Sequence, residues 1–130
     1  MEYNSFLLFL NQMADQRKAK VVVQGSIIFI ETSNAGHWSL STKILKSEIK
    51  KLKRSFGSYL SRSSLKWQEK GAYLKIDQET DSIYLVQEII SSKKYIPFKY
   101  LIEDFASVAT EWKEILEGFS DEEKLLYRLS

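Results

Sequence analysis

Two short runs of β-branched residues constrain the fold of this chain more than any other feature of its sequence. A hairpin around Gly25, with strands over 20–24 and 26–32, is predicted by Val21-Val22-Val23 and Ile27-Ile28-Phe29-Ile30. Side chains alternate between the two faces of a strand, so both faces of this hairpin are apolar. One face can pack against a helix of the same chain. The other face needs a further element, or another chain, to cover it.

Weaker signals complete a small antiparallel sheet. A third strand over 37–42 is predicted after the turn at Asn34-Ala35-Gly36, with Trp38 and Leu40 on one side. A second hairpin, with strands near 72–76 and 83–89, is predicted by apolar residues on both sides of a polar turn. With 130 residues, the chain has room for one domain and not for two ordinary ones. We therefore expect a single domain over 1–130.

Three longer segments carry apolar residues at three- and four-residue steps, which is the spacing of a helix. The first covers 3–16, and the second covers 43–61. The third begins at Pro97 and is predicted to stop at Gly118, where a capping box at Ser120 would open a short last helix. The predicted order is α-β-β-β-α-β-β-α plus a short C-terminal helix, which is an α+β fold.

Candidate residues for catalysis or metal binding are scarce. The chain has no cysteine and a single histidine, His37, which excludes thiolate sites and multi-histidine metal sites. Residues 77–88 have the acidic spacing of a calcium loop, but Ser82 stands where the sharp turn of such a loop requires glycine. We therefore predict no catalytic residue, no metal, no cofactor and no enzymatic activity.

The supply of apolar faces exceeds what one small sheet can cover with its own helices. Leu8 and Phe9 widen the apolar surface of the first helix beyond one stripe, and the hairpin is apolar on both faces. Uncovered apolar area on a globular chain usually marks an interface. We infer self-association through the apolar seam of the second helix or through a sheet edge, together with a separate patch for another protein.

The second helix also carries a basic face opposite its seam. This face predicts salt-dependent binding to phosphates as one possibility. Phe56 and Tyr59 lie on the apolar seam, whereas base stacking needs aromatic rings on the charged surface. An ordinary solvated face is therefore the favoured interpretation. The basic residues are Lys43, Lys46, Lys50, Lys51, Lys53 and Arg54.

Two stretches in the second half of the chain have a specific residue pattern. The first, Gly71-Ala-Tyr-Leu-Lys-Ile-Asp77-Gln-Glu79-Thr80-Asp81-Ser-Ile83-Tyr-Leu85, resembles the signature of class I type III secretion chaperones. In that signature a glycine leads to an apolar strand, an Asp-x-Glu-Thr turn and a second strand ending in leucine. The following helix resembles the last helix of the family through Phe105, Ala109, Trp112 and Leu116. The resemblance covers roughly 65–116 and is only topological before that.

The resemblance implies a small, cytoplasmic, bacterial homodimer without enzymatic activity. Its client would be a secreted effector, whose N-terminal segment wraps around the dimer in an extended, export-competent form. The resemblance places client contacts on the first helix and early strands, at Phe6, Leu8, Phe9, Val22, Ile28 and Ile30. It places dimer contacts on the middle helix and an adjacent strand, at Leu45, Ile49, Leu52, Phe56 and Tyr84.

One property departs from the family pattern. Such chaperones are usually acidic, whereas this chain has a net charge of +2 and a pI near 8.7. The alternative is therefore a basic regulatory protein of the same fold, which contacts nucleic acid or the transcription machinery through the 43–54 helix. Membrane insertion is not expected, because the longest early apolar run, Phe6 to Leu10, is too short to span a bilayer.

Overall fold

The computed structural model describes residues 1–34, 36–46, 71–77, 79 and 82–129. Within this part of the chain, five strands form one antiparallel sheet in the order β1-β2-β3-β5-β4, and two helices pack on it. This is the α+β fold that the sequence predicts. The elements in chain order are α1 (Tyr3–Gln16), β1 (Lys18–Val23), β2 (Ser26–Thr32), β3 (His37–Lys46), β4 (Ala72–Asp77), β5 (Ser82–Ile90) and α2 (Tyr95–Leu129).

The turn between β1 and β2 sets the register of the first hairpin. Gln24 and Gly25 have φ angles of 51° and 77°, so both lie in the left-handed region that two-residue hairpin turns of type I′ require. Val23 therefore lies opposite Ser26, and Val22 lies opposite Ile27. Lys113 of α2 donates a hydrogen bond to the Ser26 hydroxyl at 3.0 Å. This contact ties the turn to the helix behind the sheet.

An aromatic cluster joins both helices to one face of the sheet. The Phe98 ring of α2 stacks on Phe9 of α1 at 4.7 Å between centroids. It also meets Phe6 edge-on at 5.4 Å and Trp38 of β3 at 5.9 Å. The Tyr95 hydroxyl donates a hydrogen bond to the Met1 carbonyl oxygen. The core therefore lies between the helices and one face of the sheet, which we call the inner face.

The boundary of the third strand corrects one helix prediction. The helix predicted over 43–61 cannot begin at Lys43, because β3 continues to Lys46 and pairs with the start of β5. A register shift between Lys43 and Leu45 produces a bulge, and Ile44 is buried in the core. The rest of the predicted helix lies outside the described residues.

The last helix is longer than the sequence predicts. Its backbone runs without a break from Tyr95 to Leu129, across Gly118 and Ser120. The predicted stop and the separate short helix are therefore wrong. A glycine costs a helix only about 1 kcal/mol relative to alanine. Leu116 and Glu117 before the glycine, and Glu122, Glu123 and Lys124 after it, are residue types that favour a helix.

Candidate functional site

The second face of the sheet, which we call the outer face, is the candidate functional surface. Burial along β2 alternates strictly between Ser26 and Ile30, because every second side chain enters the core. The intervening side chains, Ile27 and Phe29, face away from α1 and α2. Each is 44% exposed, which is unusual for large apolar residues of a strand.

An apolar strip lies at the hairpin end of this face. We define it as Val22, Ile27 and Phe29. Val22 is 66% exposed and lies directly opposite Ile27, while Phe29 follows Ile27 two positions along β2. The strip is therefore a contiguous apolar surface on two neighbouring strands. Its exposure gives it capacity to bind apolar side chains of another molecule.

A shallow groove continues from the strip across the centre of the outer face. Its floor is formed by the small side chains of Ser39 and Ser41 on β3, and its far wall by Tyr73, Tyr84 and Val86. The groove has a volume of about 340 Å³. The groove is also lined by the charged residues Glu31, Lys75 and Asp77. Its lining therefore combines small polar, aromatic and charged side chains.

One row of side chains links the strip to the groove. Strand register places Lys20 opposite Phe29, Phe29 opposite Ser41, Ser41 opposite Val86 and Val86 opposite Tyr73. The row crosses all five strands. A molecule that lies across the sheet would therefore meet a charged, an aromatic, a small polar, an apolar and again an aromatic side chain in turn.

The charged residues next to the strip are mainly basic. Arg17, Lys18 and Lys20 are exposed at the start of the first hairpin, and Glu31 is the exposed acid opposite Lys18. Within the described residues, none of these four takes part in an ion pair of 4.0 Å or less. The strip therefore has a basic border on the β1 side.

Four of the residues that were predicted to contact a client lie in the core of this chain. Phe6, Phe9, Ile28 and Ile30 have exposures of 1% or less, and they pack between the inner face and the helices. They have no surface to offer another protein while the domain is folded in this way. The role that the structure assigns them is to hold α1 against the sheet.

The other two predicted client residues are exposed but do not share a surface. Leu8 is 66% exposed on the side of α1 opposite Phe6, Phe9 and Met13. Val22 lies on the outer face of the sheet, on the far side from α1. Sequence reasoning therefore missed Ile27 and Phe29, the nearest apolar neighbours of Val22. The sequence shows that neighbouring residues of β2 point to opposite faces of the sheet. It does not show which of the two faces the helices cover.

The residues predicted for the dimer interface are only partly within the described structure. Tyr84 is half-buried on the outer face, where the Lys43 Nζ atom lies 5.8 Å from its ring centroid. Leu45 belongs to β3 rather than to a helix. Ile49, Leu52 and Phe56 lie outside the described residues, as do Lys50, Lys51, Lys53 and Arg54 of the predicted basic face.

The described residues offer no cation site. None of their His, Asp and Glu side chains form a group of three that could hold a metal ion. Asp77 accepts a hydrogen bond from the Glu79 backbone at 3.0 Å, which is an ordinary turn contact. Glu88 lies six positions along β5 from Ser82, the partner of Asp77, and therefore roughly 20 Å away. Among the described helices, none combines the length and hydropathy needed to cross a bilayer.

Comparison with solved structures identifies the fold. A chain of the ExsC-ExsE complex superposes with a TM-score of 0.64 at 12% identity, over 89% of this chain and 97% of that chain. A chain of the HopA1-SchA chaperone-effector complex gives a TM-score of 0.58 at 16% identity, over 86% and 93%. No protein-family model matches the sequence, and no curated protein matches it significantly. The structural matches confirm the type III secretion chaperone fold.

Proposed function

We propose that this protein is a non-enzymatic, cytoplasmic type III secretion chaperone that holds the N-terminal segment of a secreted effector in an extended form. The observation that carries the proposal is the exposed apolar strip of Val22, Ile27 and Phe29, present on a fold shared with a chaperone-effector complex. The sequence identity to the solved structures is low, so the proposal is based on this exposed surface and not on the fold alone.

The outer face suits an extended segment better than a folded partner. The strip lies on β1 and β2, and the groove lies mainly on β3, β4 and β5. Both are shallow, so a single chain can lie across them. The apolar side chains of the segment would leave water and pack against the strip. This burial would stabilise the complex by roughly 25 cal/mol for each Å² of apolar surface that both partners bury. Backbone pairing along a sheet edge would add directional binding.

The proposal predicts that Ile27→Asp combined with Phe29→Asp abolishes client binding without unfolding the domain. Both side chains are partly exposed, so the charges stay in water, while the apolar contact with the client is lost. We expect at least tenfold weaker binding, equivalent to about 1.4 kcal/mol. The measurement is isothermal titration calorimetry with the N-terminal segment of a client identified by pull-down and mass spectrometry from the source cells.

Ile90→Asp is the matched control. Ile90 is 75% exposed and also lies on the outer face, but at the far end of β5, away from the strip. We expect this variant to bind the client as the wild type does. Equal binding by the double variant and the wild type would contradict the assignment of the strip.

We further propose that the protein works as a homodimer, with Leu45, Ile49, Leu52, Phe56 and Tyr84 as interface candidates. We expect the wild type to have the mass of two chains by light scattering, and Leu52→Asp to give monomers or aggregates, because a charge would enter an apolar interface. A Leu52→Asp protein that remains dimeric would show that the interface lies elsewhere.

Salt dependence separates chaperone activity from the alternative of a basic regulatory protein. Binding to nucleic acid weakens by orders of magnitude when salt is raised moderately, because counterions compete for the phosphates. Apolar capture of a peptide changes little. A stoichiometric protein partner that is retained after nuclease treatment and at raised salt supports the chaperone. Loss of all partners under those conditions favours the alternative.

A further inference from the structure

We infer that the free edge of β1 selects client strands that carry carboxylate side chains at alternate positions. The inference rests on the proposed function and specifies the chemistry of the segment that is bound. It depends on two separate features of β1: the direction of its backbone groups and the charge of its outer side chains.

The backbone of β1 has a regular set of groups that point away from β2. The Thr32 amide donates to the Arg17 carbonyl oxygen at 3.0 Å, so these two residues form a hydrogen-bonded pair. Hydrogen-bonded pairs alternate along an antiparallel ladder. The next such pairs follow from the register as Ala19 with Ile30, Val21 with Ile28 and Val23 with Ser26.

The intervening residues of β1 therefore direct their N–H and C=O groups to the outside of the sheet. These residues are Lys18, Lys20 and Val22. β1 is the first strand of the sheet, and no strand in the described part of the chain pairs with this side of it. An incoming extended segment can pair with all three residues, as in strand addition to an exposed edge.

The same three residues place their side chains on the outer face, beside the path of the added strand. Lys18 and Lys20 are exposed, and Val22 belongs to the apolar strip. Directly opposite side chains of paired strands approach to about 4.5–5.5 Å between Cβ atoms. A client residue opposite Lys18 or Lys20 therefore lies within reach of an ammonium group, and one opposite Val22 lies against an apolar surface.

The charges around this edge favour a carboxylate over an ammonium group. On the outer face, β1 carries the two positive charges of Lys18 and Lys20, while Glu31 on β2, directly opposite Lys18, carries one negative charge on the side away from the incoming strand. The other edge strand, β4, carries Lys75 and Asp77 on its outer face and therefore has no single sign. The preferred client pattern is acidic, any, acidic, any, apolar, in either direction along the edge.

Synthetic peptides of about ten residues, at the upper end of ordinary strand length, test this pattern. The acidic probe has the core Leu-Thr-Asp-Thr-Asp-Thr-Leu, which reads the same in both directions and so suits parallel or antiparallel pairing. The basic probe replaces both aspartates with lysine. Binding is measured by fluorescence anisotropy with labelled peptides at salt below about 0.1 M, where the Debye length is near 10 Å.

The wild type is expected to bind the acidic probe roughly tenfold more tightly than the basic probe, a ratio that falls as salt is raised. Lys18→Glu combined with Lys20→Glu is expected to reverse the preference. The matched control is Lys93→Glu combined with Lys94→Glu, which changes the net charge equally at exposed lysines in the loop before α2. It is expected to keep the wild-type preference.

The outcomes separate this inference from the proposed function. An unchanged preference in the Lys18/Lys20 variant, or equal reversal in the Lys93/Lys94 control, would overturn the inference. So would a wild type that binds neither probe. In those cases the proposed function stands if Ile27→Asp with Phe29→Asp still loses the client, and it fails too if that variant binds normally. Circular dichroism of each variant confirms that the fold is retained.

Discussion

Ile28→Asp is expected to unfold this protein, whereas Ile27→Asp is expected to leave it folded. The two residues are identical in type and adjacent in β2, but Ile28 is fully buried on the inner face and Ile27 is 44% exposed on the outer face. An unpaired carboxylate in the core costs several kcal/mol, in addition to the apolar contacts that are lost. This cost is a large part of the total free energy of unfolding of a typical domain, which is about 5–15 kcal/mol.

Thermal unfolding followed by circular dichroism measures the difference. We expect no cooperative transition, or a strongly lowered midpoint, for Ile28→Asp, and a midpoint near that of the wild type for Ile27→Asp. The comparison also determines how binding data are interpreted. Loss of client binding by Ile28→Asp would report unfolding and not a contact. Equal destabilisation by the two changes would contradict the assignment of the two faces.

Phe98→Ala is expected to cause the second large effect, a loss of about 3–5 kcal/mol in the free energy of unfolding. Phe98 is fully buried and is the residue through which α1, α2 and β3 meet. Its ring contacts Phe9, Phe6 and Trp38. Removing it leaves a cavity between three elements that cannot close without moving a helix.

Tyr100→Ala on the same helix is the control for Phe98→Ala. Tyr100 is also aromatic but is exposed, so its removal is expected to change stability by no more than about 0.5 kcal/mol. Urea unfolding gives both values, provided that the slope with denaturant is the same for the variants and the wild type. A Phe98→Ala protein as stable as Tyr100→Ala would show that the cluster does not hold the helices to the sheet.

Most strands and the two described helices follow from local sequence patterns. The runs around Gly25 predict β1 and β2 to within two residues, and the polar turn after Asp77 separates β4 from β5. The boundaries that failed depend on partners distant in sequence. β3 extends past Thr42 because β5 offers a strand to pair with as far as Lys46. Helix α2 passes Gly118 because a single glycine does not outweigh the residues around it.

The candidate site, like the fold, has features that follow from local sequence patterns and features that depend on residues distant in sequence. The sequence shows that the first hairpin is apolar on both faces, since alternation places consecutive apolar residues on opposite sides. It could not determine which face the helices would cover, because Ile27 and Ile28 are chemically identical. The packing of α1 and α2 against Ile28 and Ile30 made that choice, and it left Val22, Ile27 and Phe29 exposed.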